Sequence, residues 1–162
     1  MDTSRFSAFD RQLNEKLADA IGEILNKGKR RGLFAGNGNK VRAIGFITTD
    51  DFYGFYLTWS CKEADIEEYY DWKNASYPSF LYQPLVDVVD NSKDIDLLHK
   101  SDEKWEFAQA LLTVLEQNIK QLPDALFNDN SCKRQDITFF ATMSDGDYIQ
   151  EMLEASVSLF NK

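Results

Sequence analysis

Carboxylates are the reactive groups this chain carries in quantity, and they come in close pairs: Asp50-Asp51, Glu67-Glu68, Asp94-x-Asp96 and Asp145-x-Asp147. Hard cations such as calcium and magnesium take oxygen ligands of this kind, but a calcium loop needs a longer series that closes on a bidentate glutamate. Asp145-Gly146-Asp147 lacks that series, and helix capping accounts for it. No metal is expected. Asp50-Asp51 fits a turn, where aspartate is a standard residue, and two tip carboxylates beside Phe52 and Tyr53 also fit a contact loop. Both readings stand.

Other chemistry is sparse. The single histidine, His99, lies in a polar stretch with no partner motif and reads as an exposed or helix-end residue. No serine sits in Gly-x-Ser-x-Gly, and neither Cys61 nor Cys132 has a local nucleophile signature. The two cysteines are far apart and form no Cys-x-x-Cys, which disfavours a disulfide scaffold and a zinc site. Gly36-Asn37-Gly38-Asn39-Lys40 precedes a strand, whereas a phosphate loop opens a helix whose N–H groups face the ligand. No catalytic residue and no cofactor is expected, and the chain does not read as an enzyme.

Charge is more informative. From Asp50 to Glu106 there are fourteen acidic and five basic side chains, with tyrosines and tryptophans interleaved, in a chain of 162 residues and net charge -9. A surface of one sign speeds association with an oppositely charged protein and repels nucleic acid, so a basic protein partner is expected and nucleic acid is not. Six basic residues from Lys27 to Arg42, uninterrupted by acid, are the exception. The segment Met1-Asp2-Thr3-Ser4-Arg5-Phe6 shows no signal pattern, and no stretch is apolar enough to span a membrane, which places the protein in a cytoplasm.

The elements that must position these groups follow from periodicity. Phe6, Phe9, Leu13, Leu17, Ile21 and Ile24/Leu25 step by three or four, predicting an amphipathic helix capped by Ser4 or Ser7 and ending near Gly28 or Gly32. Lys27, Lys29, Arg30 and Arg31 then suit the negative end of its dipole. After the Gly36–Asn39 turn, residues 41–47 and 55–60 are rich in β-branched and aromatic side chains and predict a hairpin with Asp50 and Asp51 at its tip. Lys62 to Lys73 and Phe80 to Val89 predict short helices, the second with Pro84 in its first turn. Trp105, Ala108, Leu111/Leu112, Leu115, Ile119 and Leu122 predict a long helix stopped by Pro123. Residues 136–143 predict a third strand, and a terminal helix follows that buries Ile149, Met152/Leu153, Ser156/Val157 and Phe160. The sum is a single α+β domain over residues 1–162, with a small, mostly antiparallel sheet of about three strands covered by N-terminal, central and C-terminal helices.

Three segments resemble the bacterial family called domain of unknown function 4303. They are Phe46-Ile47-Thr48-Thr49-Asp50-Asp51-Phe52-Tyr53-Gly54, the Tyr-x-Trp of Tyr70-Asp71-Trp72, and the closing Ile137-Thr138-Phe139-Phe140-Ala141-Thr142-Met143-Ser144-Asp145 with Ser158-Leu159-Phe160-Asn161. The family tends to continue Tyr-x-Trp with a second tryptophan preceded by glutamate, where this chain has Lys73-Asn74-Ala75-Ser76-Tyr77. Relatives look like neighbours of bacterial polymorphic toxins, so the resemblance implies an immunity protein for a cognate toxin, with no enzymatic activity to carry over.

A nuclease toxin needs a basic cleft, and an inhibitor carrying carboxylates and aromatic anchors matches it. Asp50, Asp51 and Tyr53 on the hairpin connection, with Glu67, Glu68 and Asp71 on the following helix, are the expected partner contacts. The alternative is a small enzyme or ligand-binding domain whose pocket is lined by Trp59, Tyr70 and Trp72 with a carboxylate from Asp50 or Asp71.

Overall fold

The structure, a computed structural model, describes residues 2–35, 40–62 and 66–162, the side chains of 28–35 excepted. Helix α1 (Ser7–Ala35), entered through a 3-10 turn at Ser4–Phe6, runs past both glycines expected to end it. The apolar stripe from Phe6 to Leu25 is buried throughout, as its spacing requires. Neither serine caps the start: the Asp2 carboxylate accepts from the Ser4 amide at 2.9 Å and is held below its usual range by hydrogen bonds from the Ser4 hydroxyl and amide. The basic side chains Lys29, Arg30 and Arg31 and the Gly36–Asn39 turn lie outside the described residues.

Strands β1 (Ala43–Thr48) and β2 (Phe55–Ser60) pair antiparallel, Thr48 facing Phe55 across the expected connection. A short strand, β3 (Asn74–Ser76), adds to the far side of β2, and β4 (Thr138–Met143) lies parallel to β1. The order is β3-β2-β1-β4, an α+β sheet in which two of three pairings are antiparallel. The unforeseen strand β3 has three residues and no β-branched side chain, so propensity could not mark it.

One sheet face carries Ile44, Phe46, Phe55, Leu57, Trp59, Phe139, Ala141 and Met143 into a large core shared with α1 and α3 (Asp102–Lys120). Ser101 caps α3, its hydroxyl accepting from the Lys104 amide at 3.1 Å. Helix α2 (Gln83–Asp90) carries Pro84 in its first turn and follows a 3-10 turn at Ser79–Leu81. Helix α4 (Asp124–Asn128) follows Pro123 directly, so the proline that stops one helix begins another.

Helix α5 (Ile149–Phe160) buries Met152, Leu153, Ser156 and Phe160 while Ile149 stays exposed. It also does the work of a fifth strand. The outer edge of β4 presents unpaired backbone groups, and α5 meets them with side chains. Ser156 Oγ accepts from the Ala141 amide (2.8 Å) and donates to its carbonyl (3.0 Å). Asn161 accepts from the Phe139 amide (2.8 Å) and donates to its carbonyl (2.7 Å). An open edge is thereby closed against pairing with another chain.

Candidate functional site

The connection between β1 and β2 is a tight, internally bonded turn. The Phe52 amide donates to the Thr49 carbonyl at 3.1 Å, Thr49 Oγ1 donates to Asp51 Oδ1 at 2.6 Å, and the Tyr53 amide donates to Thr49 Oγ1 at 3.1 Å. Phe52 sits at φ 60, a conformation costly for a non-glycine residue. Burial of its ring against Phe107, centroids 5.2 Å apart, over-determines that conformation. The turn therefore has one shape, with Tyr53 held outward and its hydroxyl donating to Asp90 Oδ1 of α2 at 2.7 Å. That hydrogen bond, with the neighbouring Asp90 and Asp51 charges, raises the Tyr53 hydroxyl above its ordinary value.

Asp50 turns the other way. Lys104 of α3 is completely buried, and its Nζ donates to Asp50 Oδ1 at 2.7 Å and to Asp147 Oδ2 at 3.2 Å. The Asp147 amide also donates to Asp50 Oδ1, at 3.2 Å, and the Phe52 ring lies 6.0 Å from the ammonium. Burial opposes the charge on Lys104, but the two carboxylates outweigh it and hold the ammonium above its ordinary value. Asp50 and Asp147 keep about a third of their side-chain surface, 35% and 31%, so the cluster opens to water on its acidic side. Gly146, at φ 105, lets the chain pass: a Cβ there would stand 2.0 Å from Asp50 Oδ1. Asp147 thus serves an ion pair, and α5 has no side-chain cap, contrary to the capping expectation.

The second half of the site lies on the other sheet face. Gly45 of β1 has no side chain, and the Phe140 ring of β4 occupies the vacated space, 2.4 Å from where a Cβ would be. Trp72 and Tyr69 pack on that ring at 5.7 and 6.1 Å, and Tyr69 donates its hydroxyl to the Met143 carbonyl at 3.1 Å. These contacts anchor Ile66–Asp71, where the short helix expected over Lys62 to Lys73 takes 3-10 form and is broken at Glu68. With Tyr69 inward, Glu67, Glu68, Tyr70 and Asp71 are exposed.

Aromatic rings run on from there. Tyr69 touches Tyr70 at 6.0 Å, and Tyr56 of β2 stacks on Tyr77 at 5.2 Å. The Tyr69 hydroxyl is raised by burial and by the nearby Tyr56 and Asp145. Beyond the start of β2, Tyr82 lies against Gly54, next to Tyr53. Tyr70 and Tyr77 are 70% and 68% exposed, and Tyr53 and Tyr82 are each 40% exposed. Exposed tyrosines beside acidic side chains are a recognised feature of binding faces.

Of the six expected contacts, Tyr53, Glu67, Glu68 and Asp71 are exposed and Asp51 is half-buried, the first and last on the β1–β2 turn and the others on Ile66–Asp71, whereas Asp50 is committed to Lys104. The pocket imagined from Trp59, Tyr70 and Trp72 does not form. Trp59 points into the large core beneath Lys27, while Trp72 packs on the opposite sheet face. His99 is exposed and bonded to Asp96 at 2.8 Å, a contact that, with two backbone donors, lowers the Asp96 carboxyl. Among the described residues no group of three or more His, Cys, Asp or Glu is placed to hold a metal ion. No helix among them is long and apolar enough to cross a membrane.

Tyr77, Tyr82 and Lys104 are the residues sequence reasoning missed. For Lys104 a signal existed: it stands four residues before Ala108 and seven before Leu111, on the buried stripe of α3. The chain matches no family model, no curated protein and no solved structure.

Proposed function

We propose that this protein is a binding module that docks a basic protein partner on its acidic and aromatic surface, and that the partner is a bacterial toxin domain which it neutralises. The observation that carries the reading is the exposure of four tyrosines, Tyr53, Tyr70, Tyr77 and Tyr82, on a chain that also exposes Glu68, Asp71 and Asp90. Tyrosine gives contact area at low entropic cost, and interface hot spots favour it. The carboxylates provide steering and discrimination more than raw affinity. The toxin assignment rests on the resemblance described above, and a nuclease is the toxin class whose cleft best matches this charge.

The experiment is co-expression. The tagged protein is produced with the product of the gene immediately upstream of its own, purified, and scored for a retained partner and for growth. A stable pair, with growth restored only when both are made, supports the immunity reading. A harmless neighbour that does not co-purify removes it.

A further inference from the structure

Two depressions of about 190 and 310 Å³ adjoin where the chain enters β1 and leaves α4. They share Lys40, Cys132 and Asp136 in their walls, while Arg42 lines the first and Lys133, with Asn128 and Ser131, lines the second. Water takes about 30 Å³ in the liquid, so either space holds several water-sized groups and admits a tetrahedral oxyanion.

Charge here is lopsided. Three cations, Lys40, Arg42 and Lys133, line the two depressions against one carboxylate, Asp136. Lys40 and Arg42 end the basic run from Lys27, which the docking of a basic partner leaves without a role. Lys40 is fixed where the spaces meet, its Nζ donating to the Ser131 carbonyl at 2.7 Å. That wall is held by α4, since the Cys132 amide and thiol both donate to the Phe127 carbonyl, at 3.1 and 3.3 Å. Burial raises the Cys132 thiol above its ordinary value, Lys40 works against that and Asp136 adds to it, so both charges reach the thiol that lines both spaces. One donated hydrogen bond leaves the Lys40 ammonium two further donors. The Arg42 guanidinium and the Lys133 ammonium have no hydrogen-bond or ion-pair partner among the described residues.

We propose that these joined depressions bind the phosphate group of a small molecule. The group rests on Lys40, and the Arg42 fork meets it from the β1 side and Lys133 from the α4 side. Three positive charges less one carboxylate match the dianion that a phosphate monoester carries at neutral pH. Asp136 is the opposing charge: it limits affinity and disfavours a second phosphate beside the first. The acid excess elsewhere on the chain is screened beyond roughly 8 Å at physiological ionic strength, so the local cations decide what enters. The site lies at the opposite end of β1 from the turn that carries Asp51 and Tyr53, and it does not rest on the partner reading.

Inorganic phosphate and ribose 5-phosphate are the probes, titrated into the isotopically labelled protein at about pH 7.5, where both are mainly dianions, and followed by amide NMR shifts. Sodium chloride at matched ionic strength is the control. The expected result is saturable shifts confined to residues near 40–43 and 128–136, absent with chloride and weakened about tenfold or more by Arg42→Gln/Lys133→Gln. Asp136→Asn is expected to tighten binding on the order of threefold, a gain that a merely structural aspartate would not give. The tighter of the two probes tells a free ion from an esterified one. Absence of saturable shifts with both probes overturns the proposal, as does equal response to chloride, indifference to the double substitution or weaker binding in Asp136→Asn. Lys133 is exposed, and the single Lys133→Gln variant repeats the test if the double variant loses spectral dispersion.

Discussion

Lys104 Nζ meets Asp50 Oδ1 at 2.7 Å, joining residues 54 positions apart in sequence, and Asp147 closes the cluster from a third segment. The turn that carries Asp51 and Tyr53 is therefore fastened to the head of α3 and to the β4–α5 connection. Position follows from burial: a lysine on the apolar stripe of α3 obliges carboxylates to come to it.

The two sides of this ion pair are unequal. Asp50→Asn/Asp147→Asn leaves a buried ammonium without a counter-charge and is expected to cost about 3–5 kcal/mol. Lys104→Met leaves two carboxylates that already reach water and is expected to cost less. Urea denaturation of both variants checks the order.

Alkali should loosen the same cluster. Lys104 titrates above its ordinary value of 10.5, and Tyr53, Tyr56 and Tyr69 above 10.0. For groups raised on folding, the stabilisation is complete below the unfolded values and is lost as pH climbs through the folded ones. Stability is thus expected to fall above about pH 10, with a shallower fall in Lys104→Met. Thermal melts from pH 8 to 11.5 read the slope.

Gly146→Ala tests the packing of the cluster. The glycine combines a positive φ with a space that Asp50 already fills, so a methyl must displace the carboxylate or the backbone. A loss of more than about 1 kcal/mol is expected in chemical denaturation.

The edge of β4 gives a further test. Ser156→Ala and Asn161→Ala each strip partners from backbone groups of the strand. Each is expected to cost about 1–3 kcal/mol, and the double variant is expected to self-associate through the opened edge. Denaturation gives the first and light scattering the second.

Much of the scaffold was legible because periodicity reports burial. The stripe of α1, the run from Ala108 to Ile119 in α3, and strands β1, β2 and β4 all follow from which side chains must leave water. What pairs with what was not legible. Nothing in Ile137 to Met143 states that this strand lies parallel to β1, and the three residues of β3 owe their conformation to β2. The site was half legible for the same reason. Asp51 and Tyr53 stand where a turn puts them, but whether Asp50 faces water or Lys104 is decided by α3, a third of the chain away. Tyr77 and Tyr82 carried no signal, since exposed and buried tyrosines look alike in sequence.

Asp51 and Tyr53 on the β1–β2 turn, and Asp71 with Tyr70 and Tyr77 beyond it, are the proposed contacts for a basic protein. The direct measurement is the association rate with the co-purified partner across ionic strength, for the native protein, for Asp51→Lys/Asp71→Lys and for Tyr70→Ala/Tyr77→Ala. Asp50 is left in place, since reversing it would unfasten Lys104. The expected result is a rate that falls with salt in the native protein, a slower and flatter rate after charge reversal, and faster dissociation by about tenfold or more after tyrosine removal. Rates and salt dependence identical in all three would contradict the claim and place the partner on another face.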